Sequence, residues 1–235
     1  LRWYTSFFQD AAWTRSLVLS VAIAVLVALL DLSLAGLAAY GLERMEFRGK
    51  SLVTFLFFLP AMLPVVILTV AVYGLFAPWQ GGGSITQLVV AHAVLAFPYA
   101  FVIIQAGVVT LDVSLEEAAR TMGAGPVRLV SSILLPSLRW HILFAGLGAF
   151  VVSFTEPVTA IFLTSGETVT LPKKTWEGLR YGIDPRTIVG TTLLIYLLLV
   201  ALSVIMTPKL LSRLRRGRQG RDMDGASVPT DPLSR

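Results

Sequence analysis

Apolar positions along this chain run in long blocks instead of alternating. Five stretches are apolar over the roughly 20 residues that a helix needs to cross a bilayer: residues 16–42, 52–76, 85–109, 142–163 and 188–206. Barrel strands would instead alternate over segments of about ten residues, so the pattern predicts an all-α, polytopic transmembrane helical bundle. The blocks carry few interruptions. Asp31 breaks the first, Pro60 and Pro64 lie in the second, and Pro98 lies in the third. Such prolines are tolerated in membrane helices where neighbours or water satisfy the freed carbonyls.

Composition agrees with that reading. The 235 residues are 55% hydrophobic and 14% charged, with a mean hydropathy of +0.77. A soluble domain carries roughly a quarter charged residues, so this inventory cannot cover a water-facing surface. There is no cysteine, which excludes a disulfide framework and a thiolate metal site. A transmembrane domain is expected over residues 1–207. The remainder, 208–235, is a tail that starts basic and ends in Gly, Ser and Pro. Next to a span, such a basic cluster reads as attraction to anionic lipid and not as a nucleic-acid site, and its last dozen residues have a disordered composition.

Positive charge orients the bundle, because cytoplasmic loops collect Lys and Arg. Residues 43–51, 110–141 and the tail hold thirteen of the nineteen basic residues, and the opposite side holds six. The C-terminus and the 110–141 loop are therefore expected in the cytoplasm and the first residue outside. A chain that starts outside without a signal peptide points to an earlier span preceding this sequence.

The 110–141 loop contains "EEAARTMGAGPVRLVSSILLP", Glu116 to Pro136. Ser114 and Glu117 have the spacing of a capping box, and Leu115, Ala118, Ala119 and Met122 recur at helical spacing on one face. Gly123 suits a helix C-terminus, Pro126 suits the first turn of a second helix, and Pro136 is expected to close that helix. The loop reads as two short helices joined at a glycine corner.

Its fixed residues are Glu117-Ala118-Ala119, three residues, Gly123, nine residues, then Ile133, Leu135 and Pro136. This string resembles the coupling loop of binding-protein-dependent ABC importer permeases, with every fixed position at the family spacing. The later segment "SFTEPVTAIFLTSGETVTLPKKTWEGLRYGIDPRTIVGTTLLI" resembles permeases of the spermidine/putrescine type, which implies a polyamine-like substrate; related branches of the family carry ferric iron, phosphonates or opines instead. The resemblance covers roughly residues 3–206. It implies a coupling helix that enters a groove of a cytoplasmic ATPase through Glu117, Ala118, Ala119, Gly123, Ile133, Leu135 and Pro136. It also implies two copies of that ATP-binding subunit, a second permease or a second copy of this chain, and an extracytoplasmic solute-binding protein, in a bacterial inner membrane. Family members usually have six spans, and the first is absent here.

ATP and Mg²⁺ are expected on the partner ATPase, with no cofactor in this chain. No Gly-x-x-x-x-Gly-Lys-Ser/Thr phosphate loop occurs, since Gly49-Lys50-Ser51 lacks the upstream glycine. Asp31 and Glu156 are intramembrane carboxylates, which are costly and usually face a bundle interior or a water cavity. Glu156 has two readings: it faces a cationic substrate, or it is tied to the kink at Pro157. His92 either lines the cavity or is packed, and His141 sits at the cytoplasmic mouth. Two histidines so far apart, without clustered carboxylates, do not make a metal site. On the outer side, Thr170 and Pro172 start a helix that Gly182 stops; it either lies at the interface or serves as a docking surface for a solute receptor. Two further classes fit less well. A proton-coupled secondary transporter would want broken helices in repeated halves, and an intramembrane hydrolase would need a nucleophile–base or metal set.

Overall fold

A computed structural model describes residues 2–78, 85–166, 168–182 and 184–193, together with 195, 196, 199 and 203. Every regular element among the described residues is helical. Residues 1–187 form one compact unit and 188–235 a second. The described positions of the second unit, within the expected fifth span, are helical, and the tail lies outside the described residues.

The first unit opens with α1 (Arg2–Gln9) and α2 (Ala11–Arg44). Asp10 caps α2 by accepting a hydrogen bond from Ala12 N–H at 2.8 Å, the usual way an Asp N-cap satisfies an orphan amide. At 34 residues, α2 is about 51 Å long and overruns the expected span at both ends.

The second expected span is not one helix. It divides into α3 (Lys50–Met62) and α4 (Val65–Phe76), whose axes meet at 106°. Pro60 is accommodated inside α3, and the break falls at Leu63–Pro64. The missing N–H of Pro64 frees the carbonyl four residues earlier and its ring crowds that turn. The third span coincides with α5 (Ile85–Val109), which runs through Pro98.

The fourth expected span is shifted. Helix continues from α7 (Pro126–Leu129) through a π turn (Val130–Leu134) into α8 (Leu135–Thr155). Pro136 therefore does not close the second loop helix. It stands inside the continuous helical run, directly after the π turn at the second residue of α8. α8 ends at Glu156–Pro157, and a separate short helix, α9 (Val158–Leu163), follows. The loop also carries α6 (Val113–Thr121), and the opposite end of the bundle carries α10 (Leu171–Tyr181).

Helices α2, α5 and α8 pack together as the core. Its centre is rich in alanine, with Ala35, Ala39, Ala96, Ala100, Ala145 and Ala149 fully buried. Small residues let membrane helices approach closely, where lipid gives no hydrophobic drive to associate. Gly107 lets α5 lie close against α8: a Cβ there would lie 2.6 Å from the His141 ring. Among the described residues, three helices are long and apolar enough to cross a membrane, Ala11–Arg44, Ile85–Val109 and Pro126–Thr155, and the bent α3–α4 pair would make a fourth.

Candidate functional site: the loop corner and the polar interior

The loop helix α6 starts one turn from the end of α5. Its N-cap is Asp112, whose side chain accepts from Ser114 N–H at 2.9 Å; the Ser114–Glu117 capping box is not formed. That contact holds the Asp112 carboxyl below its ordinary pKa. Both residues can cap, and the exit of α5 decides between them: Thr110 N–H and Leu111 N–H turn back to Gly107 O and Val108 O. Asp112 is then the first extended residue before the helix.

The far end of α6 is a Schellman motif. Ala124 N–H reaches Ala119 O at 3.0 Å and Gly123 N–H reaches Arg120 O at 2.9 Å, the 6→1 and 5→2 bonds of that motif. Gly123 sits at φ +84°, in the left-handed region that favours glycine. Nothing lies within 4 Å of where its Cβ would be, so conformation and not crowding demands the glycine.

The face of α6 differs from the expected one. Ala119 turns inward and packs with Leu129 and Leu134. Ala118 and Glu117 are exposed, with Leu115, and Met122 is 82% exposed. Across the corner Val127 is 80% exposed, Leu135 and Pro136 are exposed, and Ile133 is half-buried. The corner thus presents an uncovered apolar edge while one alanine of the motif holds its two arms together.

Sequence reasoning missed the residue that anchors this loop. Glu116 is 4% exposed. Its Oε1 accepts from Arg44 Nη2 at 2.6 Å and Nε at 3.0 Å, and its Oε2 accepts from the Tyr40 hydroxyl at 2.8 Å. Arg120 Nη2 donates to the same Tyr40 oxygen at 3.2 Å. Burial alone would raise the Glu116 carboxyl; the hydrogen bonds from Arg44 and Tyr40 outweigh it and hold the group below its ordinary value of 4.5. The available signal was helical phase. Glu116 and Ala119 lie three apart, on one side of α6, whereas Glu117 points away from it.

Deeper in the bundle, His92 of α5 is buried between two hydroxyls. Its Nδ1 lies 2.8 Å from Ser153 Oγ of α8 and its Nε2 lies 2.7 Å from Thr159 Oγ1 of α9. This bridges the broken span to α5, the packed alternative for His92. Glu156 occupies the break itself, where its Oε1 accepts from Val158 N–H at 2.6 Å and Thr159 N–H at 3.3 Å. It caps α9 while remaining half-buried. Asp31 is 1% exposed, and neither carboxylate oxygen has a hydrogen-bond partner among the described residues. His92 and Glu156 therefore meet at Thr159, His92 at its hydroxyl and Glu156 at its N–H, whereas Asp31 joins neither. No cluster of three or more metal-ligating side chains occurs among the described residues.

At the opposite end, α10 begins after Thr170 and ends at Gly182, as expected. Lys173 turns inward, where its Nζ donates to Thr164 O at 2.8 Å and to Thr164 Oγ1 at 3.1 Å. Arg186 joins Asp10 at 2.6 Å and Asp184 at 2.7 Å, pinning the start of α2 to the segment after α10.

Residues 32–216, well over half of the chain, match the family described as binding-protein-dependent transport system inner membrane component. Among curated relatives, the spermidine/putrescine transport system permease protein PotC of Haemophilus influenzae is 29% identical over 88% of this chain and 81% of its own length. The putrescine transport system permease protein PotI of Escherichia coli is 30% identical over 78% of this chain and 68% of its own. The molybdenum transport system permease protein ModB of Haemophilus influenzae is 35% identical over 66% of this chain and 74% of its own. Among solved structures, an inward-facing MetNI methionine ABC transporter matches with a TM-score of 0.61 at 17% identity, covering 86% of this chain and 94% of that one. A bacterial alginate ABC transporter in complex with an alginate-bound periplasmic protein matches at 0.62 and 16%, covering 89% and 81%. The helical bundle is that of ABC transporter permeases, and the chain belongs to the family of binding-protein-dependent transport system inner membrane components, as a membrane-spanning permease subunit of an ABC importer.

Proposed function

We propose that this permease forms half of the pathway for a polyamine-like cation and takes its drive from an ATPase docked on the Val113–Pro136 loop. The carrying observation is the corner at Gly123. A left-handed glycine and a Schellman motif hold Leu115, Ala118, Met122 and Val127 exposed together, an apolar edge that a partner groove would cover. The positive-charge asymmetry supports placing this loop and the C-terminus in the cytoplasm. ATP and Mg²⁺ then belong to the ATPase, present in two copies. The second permease half is a related subunit or a second copy, and an external solute-binding protein delivers the substrate. In this scheme Glu117, Ala118, Gly123, Leu135 and Pro136 shape the docking face, and Ala119 and Ile133 hold it from behind.

The cation reading rests on the PotC and PotI relatives, which extend over more of the chain than ModB does. Glu156, half-buried at a helix break, agrees with it. The ModB relative favours a second reading, an oxyanion. Reconstitution of the complex with its ATPase and binding protein separates them. ATP-dependent uptake of labelled putrescine, undiminished by excess molybdate, is expected; uptake of molybdate in its place would overturn the cation reading, and uptake without ATP would overturn the importer scheme.

A further inference from the structure

We propose that Glu116 is a positioning residue that clamps the ATPase-docking loop to α2, so that displacement of the loop moves α2 together with α8. This rests on the docking reading above and adds the route by which force leaves the loop.

The loop has two arms with different attachments. Its C-terminal arm is α7, which continues through the π turn into α8 as one helical run, Pro126–Thr155. Movement of that arm is transmitted along the rod to the Glu156–Pro157 break. The N-terminal arm, α6, has no such continuity. It follows a non-helical turn at Leu111–Asp112, and a small apolar cluster of Ala119, Leu129 and Leu134, with Tyr40 and Ile133 packed against it, ties it to the other arm. Left to these contacts, α6 would pivot about the turn, and load applied to its exposed edge would be lost as rotation.

The Glu116 carboxylate removes that freedom. Two guanidinium N–H groups of Arg44 and the Tyr40 hydroxyl converge on it, and Arg120 of α6 reaches back to the same hydroxyl. Tyr40 and Arg44 are one turn apart in the last turns of α2, so the clamp engages one face of that helix. Charge-assisted hydrogen bonds are short and about twice as strong as neutral ones, and a carboxylate this buried cannot exchange them for water without cost. α2 in turn packs on α5 and α8 through the alanine-rich core. Loop, α2 and α8 therefore form a closed mechanical triangle, with Glu116 supplying the charged tie at the corner that no continuous helix closes and where Tyr40 packs on the loop.

The test uses the whole reconstituted importer and reads putrescine taken up per ATP hydrolysed. Glu116 faces away from the exposed edge, so Glu116→Gln should retain the ATPase and continue to hydrolyse ATP, while uptake per ATP falls about tenfold. Arg44→Gln should do the same, and the double variant should be no worse than either single one, since residues of one interaction are not additive. Unchanged uptake per ATP in Glu116→Gln would overturn the proposal. So would loss of ATPase retention with the permease still folded, because Glu116 would then shape the docking face. Should Glu116→Gln fail to assemble, Tyr40→Phe removes only the two hydrogen bonds of the hydroxyl, to Glu116 and from Arg120, and must still lower uptake per ATP; full coupling in that variant overturns the clamp. A wild-type permease that retains no ATPase would instead count against the docking reading itself.

Discussion

Replacing Gly123 separates backbone conformation from every other property of the loop. Its φ of +84° lies in the left-handed region, where an L-residue with a Cβ is destabilised by about 1–2 kcal/mol. No atom lies within 4 Å of the would-be Cβ, so alanine adds strain without collision. Every 1.4 kcal/mol is tenfold in an equilibrium, so Gly123→Ala should lower the population of the native corner by up to about five- to thirty-fold. Apparent ATPase affinity falls by no more than the same factor, because binding is reduced by the fraction of competent conformer. Asn visits the left-handed region more readily than other side chains, and a β-branched residue is a clear outlier there. The expected order of ATPase retention is thus Gly, Asn, Ala, Val. Membrane level should be equal in all four, since the apolar spans are untouched. The assay is titration of purified ATPase against permease in nanodiscs, with membrane abundance measured in parallel. Wild-type affinity in the alanine variant, or asparagine weaker than valine, would refute the argument that the corner is held by conformation.

Three further outcomes follow from the interior. His92→Ala strands the Ser153 and Thr159 hydroxyls; interhelical hydrogen bonds in membranes average about 0.6 kcal/mol and reach about 1.7, so a loss of about 1–3 kcal/mol is expected in thermal unfolding of the complex, and an unchanged melting temperature would count against the bridge. Glu156→Gln keeps an acceptor oxygen for Val158 and Thr159 N–H but removes the charge, so the complex should assemble normally while putrescine uptake falls; normal uptake would confine Glu156 to capping. Gly107→Ala forces the His141 ring aside, and overpacking of this kind costs about 1–3 kcal/mol; unaltered thermal stability would show that α5 and α8 separate freely.

Much of this arrangement is legible in the residue pattern because lipid leaves few alternatives. The apolar blocks locate α2, α5 and α8, and glycine at the C′ position locates the loop corner, since each rests on a requirement with one cheap solution. The rest depends on competition that a single chain position does not reveal. Pro64 breaks its span and Pro98 does not, although both are prolines in apolar runs. α5 is held by α2 and α8 along its length, whereas α4 gains apolar contact by turning toward Leu163 of α9. Pro136 stands where a proline either ends one helix or opens the next, and only the continuity of α7 into α8 decides. Glu116 and Glu117 are neighbours of identical chemistry. Which one is buried depends on the phase of α6 against Tyr40 and Arg44, more than seventy residues away. The same phase turns Ala119 inward and leaves Ala118 exposed.

The coupling claim is tested most directly by a photo-reactive amino acid placed at Met122 or Val127, with Leu37 on α2, 74% exposed and outside the loop, as the control. In membranes containing the assembled importer, both loop positions should cross-link to the ATPase subunit, identified by mass spectrometry of the adduct, and Leu37 should not. Absence of an ATPase adduct at both loop positions, in a complex that still hydrolyses ATP and transports, would contradict the account.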